Sequence, residues 1–307
     1  MSILALRRSV ASSNLAPALP YLGLLLGMVS LAIGTSYAKH LFPIIGAEGT
    51  STLRVGLSAL VLVAIWRPWR FALTRQNLKG VVMYGVVLGL MNLSFYMSLR
   101  TIPLGLAIAI EFSGPLVLAL MNARRLIHFV WIGCAVAGLG MLLPIWGAQQ
   151  SLDPVGVAFA AAAGVFWALY IVFGKRLSGM HAGQSVALGM STAALIILPF
   201  GVASAGVHLL APPVLLFGLF VALASSALPY SLEMIALRHI PKRTFGVLLS
   251  GEPAIGAIAG LILLHEQLVG LQWVAIGCIV TASVGAILTT GRETASVPAD
   301  AAIPSAN

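Results

Sequence analysis

Long apolar runs with short charged breaks between them organise this chain, and the breaks predict where helices begin and end. They place helices near residues 19–41, 49–66, 80–99, 103–122, 129–146, 154–174, 186–205, 212–236, 244–264 and 270–290. Each run is close to the roughly 20 apolar residues that cross a bilayer as an α-helix. The runs 80–99 and 154–174 carry no charge, and 177–232, which holds no Asp, Glu, Lys or Arg, is long enough for two helices. The pattern predicts an all-α integral membrane protein with ten transmembrane helices.

The runs also repeat. Leu99-Arg100-Thr101-Ile102-Pro103 returns as Leu237-Arg238-His239-Ile240-Pro241, and twelve residues after the closing proline of each comes a second proline near a glutamate, Pro115 with Glu111 and Pro253 with Glu252. The run from Ile132 to Val136 returns from Ile276 to Val280, and Lys39 to Leu41 echoes Lys175 to Leu177, so offsets stay between 136 and 144. A duplication of this extent divides the chain into an N-terminal segment at 1–18, a five-helix repeat at 19–146, a second at 154–290 and a tail at 291–307. The tail is rich in Ala, Ser and Pro, has little to bury and is expected to be disordered and cytoplasmic.

Composition narrows the class further. Of 307 residues 60% are apolar and 8% charged, whereas about a quarter of a soluble domain is charged. The net charge of +9 does not point to nucleic acid, because the basic residues punctuate apolar runs and form no stripe interleaved with aromatics. Fourteen of the 17 Lys and Arg fall on one side of the predicted helices, the others being Lys39, Arg54 and Arg100. Cytoplasmic loops retain such residues, so both termini are placed in the cytoplasm, and an odd number of helices per repeat inverts the second repeat against the first. A signal peptide over 1–38, ending at Ser36-Tyr37-Ala38, is the weaker reading, since its removal strands 154–174 without a counterpart. Cys134 and Cys278 read as small core residues. His265-Glu266 lacks the second histidine of a zinc motif, Val269 standing there, and no phosphate-binding loop is present. No metal, cofactor or enzyme chemistry is expected.

The candidate chemistry lies in the spans. Three of the eight acidic residues, Glu111, Glu233 and Glu252, fall inside predicted helices, where an ionisable group marks a functional position or an internal polar lock. Glu111 and Glu252 each lie about 12 Å from the start of their predicted helix, approaching the midplane from opposite sides. Glu233 shares a helical stripe with Ser226, Pro229 and Tyr230, and Pro229 frees a backbone carbonyl. Asn92 and Tyr96 lie one turn apart in helix 3, beside Gly85 and Gly89 on a face that permits close helix approach. Helix 6 offers Trp167 and Tyr170. Arg54, in helix 2, either snorkels to the outer interface, the plainer reading, or holds a substrate carboxylate. The substrate-binding candidates are therefore Glu111, Glu233, Glu252, Asn92, Tyr96, Tyr230, Trp167, Tyr170 and Arg54, with Pro115, Pro229 and Pro253 as candidate hinges. One glutamate is alternatively a proton carrier, because desolvation favours a neutral carboxyl.

Two runs carry a family resemblance, Pro103-Leu104-Gly105-Leu106-Ala107-Ile108-Ala109-Ile110-Glu111-Phe112-Ser113-Gly114-Pro115 and Ala227-Leu228-Pro229-Tyr230-Ser231-Leu232-Glu233-Met234-Ile235-Ala236-Leu237. Together with the duplication they are similar to the drug/metabolite transporter superfamily, specifically its ten-helix proteins of two inverted EamA-type repeats, and within it to the bacterial threonine/homoserine exporters. Glu266, Gly270, Gln272 and Gly277 resemble the end of an EamA repeat, although His265 stands where that family usually has glycine. The resemblance covers nearly the whole chain. It implies a multi-pass exporter of small neutral amino acids in the bacterial inner membrane, with a central cavity bounded by helices 1, 3, 4, 6, 8 and 9. The expected partners are the amino acid, the lipid bilayer and protons, and the expected mechanism is alternating access. Export of another small metabolite and a channel-like facilitator are the alternatives.

Overall fold

The computed structural model describes residues 18–70, 73–121, 126–142, 152–177, 179–240, 245 and 248–293. The N-terminal segment up to residue 17, the stretch 143–151 and the tail from residue 294 lie outside them. The described chain is helical, with no β-strand among the described residues. In order it forms α1 (Leu19–Ala38), a 3-10 turn (Lys39–Leu41), α2 (Phe42–Trp66), α3 (Arg75–Ser98), α4 (Leu104–Leu120), α5 (Leu126–Leu142), α6 (Pro154–Arg176) and α7 (Ala182–Ala205). Next comes a composite helix, α8, in which Pro212–Ala222 and Leu228–His239 are joined without a break by a π turn at Leu223–Ala227. The last two are α9 (Glu252–Leu263) and α10 (Gly270–Glu293). Among the described residues five stretches are long and apolar enough to cross a membrane, Leu19–Arg70, Asn77–Ser98, Pro154–Arg176, Gly183–Leu210 and Pro212–Glu233, and shorter apolar helices accompany them.

Local chemistry sets the helix starts. The Asp153 carboxylate caps α6 by accepting from the amides of Val155 and Gly156 at 3.3 and 3.0 Å. The Thr101 hydroxyl, together with these amides, holds that carboxyl below the usual carboxylate range. Prolines in the first turn open α1, α2, α6, α8 and α9, positions where the missing N–H has no intrahelical partner to lose.

Two places differ most from the sequence pattern. The first predicted helix stops at Ala38, and α2 starts at Phe42 and runs through a kink at Gly46, whose φ of 70° and ψ of 173° suit glycine alone. The predicted helix over 244–264 is interrupted by a turn at Ser250 and Gly251, closed by the Gly251 amide on the Leu248 carbonyl at 3.0 Å. Glu252 therefore opens α9 instead of lying within a helix, and Pro253, expected as a hinge, is the second residue of α9 and bends nothing. Pro115 does lie inside α4. His265 adopts φ 55°, the left-handed conformation that glycine would take there, so the α9–α10 turn is tight despite the substitution. The Glu266 amide closes it on the Gly260 carbonyl at 3.1 Å.

Packing runs between the halves. α2 lies on α7, α4 on α9, α5 on α10, α3 on α6 and α1 on α8, with further contacts of α4 on α6 and of α1 on α9. The succession α3, α6, α4, α9, α1, α8 is thus an inner ring, and the α2–α7 pair bridges its two ends by packing on α8 and α3. Small residues let the backbones meet, as expected where lipid supplies no hydrophobic drive between helices. Gly114 of α4 faces the Gly164 backbone of α6, Gly105 faces Ala257, Gly34 faces Ser225, and Gly85 and Gly89 seat α3 on Thr192 and Ala193 of α7.

Three substitutions test the packing and the α9–α10 turn. Gly114→Val drives a side chain into the α6 backbone and should abolish folded, extractable protein, whereas Gly133→Val, at a position with open space, should leave it near normal. His265→Gly should raise the thermal midpoint, since relieving a left-handed non-glycine residue gains about 1 kcal/mol. Fluorescence-detected size exclusion and thermal unfolding in detergent read both effects.

Candidate functional site at Arg54

The plainer sequence reading put Arg54 at the membrane surface, but the structure buries it inside the bundle at 4% exposure. Its Nε donates to Ser225 Oγ at 2.8 Å, Nη2 to the Ser225 carbonyl at 2.7 Å and Nη1 to Asn92 Oδ1. The reason is local to α8. Pro229, four residues on, has no N–H for the Ser225 carbonyl, and the π turn spans the gap. The freed carbonyl foreseen from Pro229 thus meets the guanidinium. Three N–H donors are committed in this way, and one on each terminal nitrogen is left for a ligand.

Other predicted residues gather around this charge. The Asn92 amide donates to the Leu88 carbonyl at 2.8 Å, which aims its oxygen at Arg54. The fully buried Tyr96 ring lies 5.3 Å from the guanidinium carbon. Glu111 on α4 is 8% exposed and lies within the field of the Arg54 charge. Glu252, also 8% exposed, lies in the field of Glu111 and Glu233, while Tyr230 feels Arg54, Tyr170, Glu233 and Glu111. Glu252, though at a helix start, thus belongs to the same charged neighbourhood. Trp167 meets Phe112 edge-on at 5.4 Å, a packing contact between α6 and α4. Tyr170 pairs with Tyr84, hydroxyl to hydroxyl at 2.9 Å and ring to ring at 4.8 Å.

Sequence reasoning missed Ser225, Tyr84 and a latch at the far end of the bundle. There Lys39 Nζ meets Glu266 Oε1 at 2.6 Å, while Glu266 Oε2 accepts the Leu104 amide at 2.8 Å. Arg100 and Glu48 lie 3.6 Å apart at the same end. At the opposite end a small crevice lined by Leu62, Trp66, Val186, Tyr230 and Ser231 lies between α2, α7 and α8. The four-residue spacing of Ser225 and Pro229 was the available signal for the first. Nothing in the spacing announces Tyr84 or the latch, which join residues from opposite halves.

Chemically the arrangement sets one buried guanidinium among buried carboxyl and hydroxyl groups. Among the described residues no group of His, Cys, Asp and Glu could hold a metal ion. Ser225→Ala deletes one charge-assisted hydrogen bond and should lower the unfolding free energy by about 1.5–3 kcal/mol. Arg54→Met leaves carboxylates and acceptors without their cation and should cost about 3–5 kcal/mol. Chemical unfolding of the purified protein in detergent measures both.

Comparison with known proteins places the chain. Residues 154–288 match the EamA-like transporter family. The threonine/homoserine exporter RhtA of Salmonella typhimurium (strain SL1344) and that of Escherichia coli (strain K12) are each 46% identical over 275 residues, covering 90% of this chain and 93% of theirs. The uncharacterized inner membrane transporter YedA of Escherichia coli (strain K12) is 28% identical over 168 residues, 53% of each chain. With its apolar helices and its match over 93% of the length of the two exporters, the chain is a multi-pass membrane protein that belongs to the EamA-like transporter family.

Proposed function

We propose that this chain exports small neutral amino acids of the threonine and homoserine kind across the bacterial inner membrane. The observation that carries the reading is Arg54, braced by Ser225 and Asn92 with donors to spare and with Glu111 in its field inside an apolar bundle. A zwitterion brings one charge of each sign, so the carboxylate takes the remaining Arg54 donors and the ammonium takes Glu111. Asn92, Tyr96 and Tyr230 surround the place of a substrate hydroxyl. The likeness to exporters of hydroxylated amino acids supports that assignment.

Alternating access between two inverted five-helix repeats is the mechanism that suits this site. The packing supports a two-fold relation, because α2–α7, α4–α9 and α5–α10 are contacts between corresponding helices and α1–α8 and α3–α6 exchange under it. The end that carries Arg67, Arg70, Arg75, Lys79, Lys175 and Arg176 is cytoplasmic in this reading, which places both termini there too. The latch of Lys39, Glu266 and the Leu104 amide then closes the periplasmic end, and the crevice beside Tyr230 faces the cytoplasm. Glu233 or Glu252 carries the coupling proton.

Efflux from vesicles loaded with threonine or homoserine tests the assignment. Glu111→Gln and Glu233→Gln keep volume and remove charge, so each should insert and accumulate near normally yet fail to drive efflux. A variant that has lost only the proton carrier should keep substrate exchange without a pH gradient while losing net efflux. Wild-type net efflux in both variants eliminates the site.

A further inference from the structure

The repeat offsets expose an asymmetry between two corresponding helix contacts. The offset of 136 that carries Lys39 onto Lys175 carries Gly34 of α1 onto Tyr170 of α6, and the offset of 138 that carries Leu99 onto Leu237 carries Tyr84 of α3 onto Ala222 of α8. In the α1–α8 contact, Gly34 lets the helix backbone close on Ser225 and Ala224, and Ser30 Oγ donates to the Ala224 carbonyl at 2.7 Å. In the α3–α6 contact the position matching Gly34 holds Tyr170, stacked on and hydrogen-bonded to Tyr84. The Tyr84 ring fits a slot between Gly174 of α6 and Gly189 of α7, where an added Cβ at Gly189 would collide with it. One contact closes backbone on backbone, and the other is filled by two aromatic rings.

The aromatic contact shares a packed cluster with Tyr230, which lines the crevice. Glu233 acts electrostatically on Tyr84, Tyr170 and Tyr230, and Tyr230 lines the crevice with Ser231. With the faces of Tyr84 and Tyr170 turned to each other, the cluster offers hydroxyl oxygens and a carboxylate. These are acceptors, and a primary ammonium has three N–H donors to satisfy. We propose that Tyr84, Tyr170, Tyr230 and Glu233 form an intake station that binds the ammonium of the substrate before its carboxylate reaches Arg54. The station rests on the amino-acid export reading for its place in the cycle, and on its own geometry for its ligand class. Tyr84 is the added specificity residue, since its hydroxyl bond fixes where the Tyr170 oxygen points.

The test separates the station from the transport reading. In inside-out vesicles, which present the crevice end to the medium, Tyr84→Phe should raise the half-saturating threonine concentration about tenfold, the loss of one hydrogen bond near a charge. The maximal rate, and the half-saturation measured in right-side-out vesicles, should stay near wild type. An equal rise from both faces, or none from either, overturns the station. Thermal stabilisation of the purified wild-type protein by ethylammonium, absent with tetramethylammonium and reduced in Tyr84→Phe and Tyr170→Phe, supports it even if no amino acid is transported, in which case the export reading falls alone. Equal stabilisation by both cations overturns it, because tetramethylammonium has no N–H to donate.

Discussion

A guanidinium held inside an apolar bundle is the constraint on which the rest of this structure depends. An unpaired charge there would cost several kcal/mol, so the fold supplies acceptors from two helices that the ring leaves to be bridged. Asn92 comes from α3 and Ser225 from α8, and Arg54 reaches both from α2. The bond to the Ser225 carbonyl exists because Pro229 leaves that oxygen without its helical donor. A helix defect thus becomes half of a charge brace, and the brace holds a cation where a zwitterion can meet it.

The brace also divides the bundle into unequal ends. Toward one end, Gly34 closes α1 on α8, and beyond it Lys39 and Glu266 tie the α1–α2 corner to the α9–α10 turn. Toward the other, Tyr84 and Tyr170 fill the α3–α6 contact and the crevice reaches Tyr230. A transporter built from two similar halves needs its corresponding contacts to differ in any one state, since sealing both or opening both gives no vectorial movement. At the matching positions Gly34 and Tyr170 the two contacts differ in side-chain volume.

Much of this was legible in the sequence. Apolar runs announced the helices, and the duplicated Leu-Arg-x-Ile-Pro phrase begins at a helix end both times, Leu99 following α3 and Leu237 lying in the last turn of α8. Gly85 and Gly89 announced a close helix approach, found against α7. Arg54 was harder, because a basic residue in a predicted span reads first as a snorkelling side chain, and its burial depends on a carbonyl 171 residues away. Glu252 was misplaced for a local reason. Ser250 and Gly251 break the helix just before it, and a run of apolar residues around a Ser-Gly pair gives period counting no signal of the break. Tyr84 and Tyr170 lie 86 positions apart, and no single-helix pattern brings them together.

The central claim is that one site reads both charges of an amino acid, with Arg54 taking the carboxylate. Calorimetric titration of the purified protein with threonine, with threoninol, which lacks the carboxylate, and with 3-hydroxybutyrate, which lacks the ammonium, tests it most directly. The account predicts that each analogue binds about a hundredfold more weakly than threonine, the loss of a charge-assisted pairing, and that Arg54→Lys narrows the gap between threonine and threoninol. Threoninol binding as tightly as threonine would contradict it.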